Sequence, residues 1–98
     1  MGTVNQTQIT NVLVGRIGAL IIGKVARRQE DIFIELVEYA EPDLAIVKAL
    51  NWAGEGAWTI PDHMVDLVQQ WSAGQSYSAY RRAAERALSQ INMSAIAA

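Results

Sequence analysis

Apolar residues recur along this chain at spacings of three and four, the repeat of an α-helix with one buried face. The pattern is densest over residues 5–28, where Asn5 and Gln8 suit a capping box and the apolar run continues to a basic pair, Arg27 and Arg28. Within it, Gly15, Gly18, Ala19, Ile22, Gly23 and Ala26 fall on one line, flanked by Val14, Ile21 and Val25. Arg16, Lys24, Arg27 and Arg28 gather on the other side, interrupted by Leu13, Ile17 and Leu20. An interior glycine costs a helix about 1 kcal/mol relative to alanine, so three on one line predict close approach to another helix backbone. A helix of that span is about 36 Å long, whereas a domain of this size has a radius of gyration of about 13 Å. The other helices are therefore expected to wrap it, or a second copy to pack against it.

Four further segments follow. Residues 29–40 place Phe33, Leu36, Val37 and Ala40 on one face and Asp31, Glu35 and Glu38 on another. Pro42 suits a first turn, predicting a helix over 42–52 that buries Leu44, Ile46, Val47 and Leu50. Residues 53–58, with Gly54 and Gly56 between Trp52 and Trp58, read as a loop. Thr59 or Ile60 caps the next helix, which presents Met64, Leu67, Val68 and Trp71 and stops at Gly74. Ser76 is placed to cap a last helix over 77–93, with Tyr80, Ala84, Ala87, Leu88 and Ile91 inward and a fray over 94–98. The fold expected is all-α: a single domain over 1–98, a compact bundle of four to five helices built around a long N-terminal and a long C-terminal helix.

Composition sharpens this reading. With 51% apolar residues, seven glycines and two prolines in 98 residues, the chain has enough to bury one core. Arg16 and Lys24 divide the first apolar run into pieces too short to span a bilayer, and the basic pair follows the run rather than preceding it as in a secretory signal. A small, soluble, cytoplasmic protein is expected. The net charge of −2 hides three blocks: +4 over residues 1–28, −8 over 29–66 and +2 over 67–98. Such complementary blocks can pack within one molecule or steer docking between chains.

Candidate chemistry is sparse. Glu35 and Glu38 share a helix face without a histidine or second carboxylate cluster at matching spacing, which describes a solvated stripe better than a metal site. Gly54 and Gly56 lack the third glycine, lysine and preceding strand of a phosphate loop. His63 stands between Asp62 and Asp66 in a cysteine-free chain, with no zinc partner and no nucleophile-elbow serine to activate. No catalytic, cofactor-binding or metal residue is assigned, and no cofactor is expected.

Residues 65–91 have the outline of a helix-turn-helix, with Arg81, Arg82 and Arg86 in the second helix. Gln70 and Gln75 stand where that motif prefers small and apolar residues, and the acidic pI of about 5.2 works against phosphate binding. A cationic first helix on a membrane surface is the weaker alternative, because that helix is apolar nearly all round. The reading preferred is a non-enzymatic protein–protein interaction module: a homo-oligomeric, self-assembling subunit, or a small adaptor or inhibitor on a larger protein machine. The DNA-binding hairpin is its alternative. Its packing or assembly residues would be Gly15, Gly18, Ala19, Ile22, Gly23 and Ala26, and its contact candidates Trp58, Arg81, Arg82, Arg86, Asp31, Glu35 and Glu38.

Overall fold

The computed structural model describes residues 5–97, and every regular element among them is a helix. In chain order these are α1 (Gln6–Ile21), α2 (Arg27–Glu38), α3 (Pro42–Glu55), α4 (Asp62–Ala73) and α5 (Ser78–Ala97). Together they form a five-helix bundle.

Asn5 caps α1, its Oδ1 accepting the Thr7 N–H at 2.8 Å. The helix then stops at Ile21, well short of the expected Arg28. Ile22 (φ −58°, ψ 122°) and Gly23 (φ 83°) form the corner of a type II turn closed by the Lys24 N–H on the Ile21 carbonyl at 2.9 Å. That turn needs a positive φ at its third position, and glycine supplies it without steric cost. Gly23 and Ala26 are thus not helical members of a small-residue line, and α1 is about 24 Å long rather than 36 Å. The Gly23 N–H donates to Glu30 Oε1 and the Ala26 N–H to Gln29 Oε1, both at 2.9 Å, which fixes the start of α2.

Two helices end on the same device. After α2 the Ala40 N–H donates to the Val37 carbonyl and the Glu41 N–H to Leu36; after α3 the Ala57 N–H donates to Gly54 and the Trp58 N–H to Ala53. Each pair is a Schellman motif, with alanine rather than glycine in the left-handed position, Ala40 at φ 60° and Ala57 at φ 51°. Consequently α2 covers 27–38 instead of 29–40, and α3 runs through Gly54 to Glu55 where a loop was expected. At the other helix starts the caps also move: α4 begins after Pro61, and α5 after Tyr77 rather than Ser76. The backbone of α5 stays helical to Ala97 where fraying was expected; Ala98 lies outside the described residues.

The middle helix, α3, is the hub. It packs against α1, α2 and α5, while α4 bridges α1 and α5. The first and last helices lie against different neighbours and do not pair with each other. The tight seam is between α3 and α5, where Ala84 and Ala87 of α5 are at most 2% exposed, while Ala49 and Ala53 of α3 face Ile17, Leu20 and Ile21 of α1. Gly54 extends the seam, for a Cβ there would lie 3.4 Å from Ala87 Cα and collide with the Gln90 carboxamide.

The buried face of α1 is also different from the one expected. Ile9, Leu13, Ile17 and Ile21 line the core at intervals of four with Thr10 beside them, whereas Gly15 and Ala19 are exposed. Burial decides this, since each aliphatic side chain gains about 1.5–3 kcal/mol on leaving water and a glycine gains almost nothing. Trp71 completes the core as its largest fully buried side chain.

Candidate functional site

Once its aliphatic line is buried, α1 turns its small residues outward. The helix carries a single charge, Arg16, in 16 residues, so its outer face is almost neutral. Nothing lies within 4 Å of where a Gly15 Cβ would stand. Beside this ridge, α2 approaches only closely enough for the Phe33 ring to lie 3.3 Å from a Cβ built on Gly18.

An open groove of about 530 Å³ results, lined by Gly15, Gly18, Ala19 and Ile22 on one side and Phe33 and Ile34 on the other. Ile22 is 70% and Ile34 51% exposed at its rim. On the opposite flank α1 and α4 enclose a second apolar concavity of about 450 Å³, bordered by Val12, itself 47% exposed, with Leu67 and Gln70. Ridge and grooves form one continuous face.

The structure brings together four of the six small-face residues, Gly15, Gly18, Ala19 and Ile22, at this groove, and leaves Gly23 and Ala26 in the turn beyond it. Asp31, Glu35 and Glu38 are all exposed on the outer side of α2. None of the three lines the groove; the acidic residue of α2 that does is Glu30. Arg81, Arg82 and Arg86 are exposed on α5, which does not touch α1 or α2. Trp58, expected as a contact residue on a loop, instead folds back on the core beside Ile17, Leu20, Leu50 and Met64. Gly56 makes this possible, because a Cβ there would fall 2.8 Å from Trp58 Cδ1. His63 is exposed in the first turn of α4. Sequence reasoning missed Ile34 and Phe33 as groove residues; the exposed isoleucine interrupting the polar face of α2 was the available signal.

The polar interior is concentrated at one point. Asp43 Oδ1 accepts the Trp71 Nε1–H at 2.8 Å and the Thr10 hydroxyl at 3.2 Å, joining α1, α3 and α4. Trp71 stacks on Tyr80 with ring centroids 6.3 Å apart, bringing α5 into the same cluster. Burial, followed by the nearby Glu41 and Asp43 carboxylates, raises the Tyr80 phenol above its ordinary value of 10.0. These contacts tie four of the five helices, α1, α3, α4 and α5, to one another. Among the described residues no group of three or more potential ligands could hold a metal ion, and no helix is long and apolar enough to cross a membrane.

Comparison with known proteins finds no family model, no curated protein and no solved structure that matches the chain.

Proposed function

We propose that this chain is a non-enzymatic protein-binding module whose working surface is the outer face of α1 with the grooves on either side. The observation that carries the reading is the single charge on a helix whose exposed side is floored by Gly15, Gly18 and Ala19. A small-residue floor between apolar rims accepts a helix, because backbone can approach backbone while side chains fill the grooves. The chain acts by occupying a partner, as an assembly subunit or an adaptor.

The test is site-specific photo-crosslinking in the native host, with the probe replacing Ile34 or Val12 and, as controls, the exposed Gln69 and Ser89. Discrete protein adducts at Ile34 and Val12 but not at the controls are expected. Equal or absent labelling at all four positions would remove the reading.

The exposed Arg81, Arg82 and Arg86 support a second reading, in which the α4–α5 hairpin binds DNA. Salt-sensitive retention of duplex DNA, lost on changing the three arginines to alanine, would promote it.

A further inference from the structure

We propose that the corner between α1 and α2 can straighten, joining them into one helix, and that α1 then takes its usual place on a second copy of this chain, which gives its own α1 in exchange. The proposal goes beyond the protein-binding reading, because it uses the inner face of α1 and leaves the outer one free.

One residue imposes the bend. Gly23, at φ 83°, supplies the left-handed conformation, and its neighbours Ile22, Lys24, Val25 and Ala26 include no proline to stop a helix. Helical bonding partly survives there, since the Ile22 N–H still donates to Gly18 and the Val25 N–H to Ile21, each four residues back at 3.3 Å. Side chains replace the rest. Glu30 Oε1 takes the Gly23 N–H and Gln29 Oε1 the Ala26 N–H, which a continuous helix would give to the Ala19 and Ile22 carbonyls. Straightening therefore exchanges these bonds and orphans neither N–H. At the start of α2, Ala26 holds the cap position without a capping side chain, although alanine favours helix interiors over helix starts.

Length brings in the second copy. A helix from Gln6 to Glu38 is about 50 Å long, against a longest dimension of 39 Å for the bundle. If α2 keeps its place on α3, α1 is carried away from α3 and α4. Ile9, Leu13, Ile17 and Ile21 then lose their cover, and so does the seat they leave. A second copy opened in the same way fills both, with the contacts that the closed chain already makes. Little else is given up, because α1 and α2 touch each other only lightly.

The start of α1 reports which chain it sits on, for a Cβ at Gly74, just past α4, would collide with the Gln6 carboxamide. The chain has no cysteine of its own, so Gln6→Cys with Gly74→Cys should oxidise within one chain in the closed form and between chains in the exchanged form. Size exclusion of this double variant over a concentration series is expected to yield, beside the single chain, a species of twice its mass whose chains stay joined on a non-reducing denaturing gel. Adding Gly23→Ala penalises the bend and should bring that species in at about tenfold lower concentration. Glu30→Ala removes an acceptor from the corner, leaves its backbone alone, and should act in the same direction.

A chain that keeps the mass of one copy in all these backgrounds would overturn the proposal, and so would a two-chain species whose disulfides close within each chain. Exchange that neither Gly23→Ala nor Glu30→Ala favours would overturn the corner as its switch. Adducts at Ile34 and Val12 test the outer-face reading separately, so either can fail alone.

Discussion

The indole N–H of Trp71 donates to Asp43 Oδ1 at 2.8 Å, linking the first turn of α3 to the end of α4 across 28 residues of sequence. Trp71 is fully buried, so its N–H has no water to turn to if that acceptor is removed. Hydrogen bonds to ionised groups contribute about 1.5–3 kcal/mol, and an orphaned buried donor costs a similar amount. Asp43→Ala is expected to lower stability by about 2–3 kcal/mol in urea denaturation, and Asp43→Asn, which keeps an acceptor in place, by less. Equal losses for the two variants would show that the acceptor is not what matters at this position.

Tyr80 gives the fold an alkaline limit. Its folded-state value is raised, so the native protein holds the phenolic proton at a pH where the unfolded chain has released it. The associated stability is complete below pH 10.0 and declines as pH rises from there towards the folded value. Thermal melts from pH 8 upward should show a downturn above about pH 10 that is shallower in Tyr80→Phe.

The two alanine caps can be improved. A left-handed conformation costs an L-residue about 1–2 kcal/mol, partly offset by the greater chain entropy that glycine loses on folding, about 0.5–1 kcal/mol. Ala40→Gly and Ala57→Gly should each raise the melting temperature, by up to about 1 kcal/mol of stability. Gly23→Ala should lower it by about 1–2 kcal/mol, because it places a Cβ on a residue at φ 83°.

Two glycines of the same α1 groove should respond in opposite senses. Gly15→Ala meets open space and should stabilise the isolated chain by up to about 1 kcal/mol through helix propensity. Gly18→Leu must displace the Phe33 ring and should cost about 1–3 kcal/mol. Gly54→Leu, aimed at the backbone of α5, belongs with the second of these. Urea midpoints for the three variants check the order.

The helical class, the proline start of α3, the Asn5 cap and the inward faces of α4 and α5 were legible because each is written in a local pattern. Helix ends were less so. Alanine in a left-handed cap carries no mark that distinguishes it from alanine within a helix, and Gly54 looked like a loop while serving the α3–α5 seam. The glycine line of α1 was visible, but Leu13, Ile17 and Ile21 outweigh it in burial energy and turn it outward. Whether it then stays uncovered depends on where α2 comes to lie. The corner at Gly23 sets that path, and no spacing within α1 encodes it. The rims at Ile22 and Ile34 were therefore beyond a reading made helix by helix.

Among the described residues α2 rests against α3 and, lightly, against α1, with no contact to α4 or α5. Its attachment resembles that of a flap hinged at both ends, by the Gly23 corner before it and the Ala40 cap after it. Elements with few neighbours open at a lower free energy than the molecule as a whole. Amide protons of α2 should exchange with solvent ahead of those of α3, so the width available to whatever lies in the adjoining groove can change while the remaining four helices stay assembled.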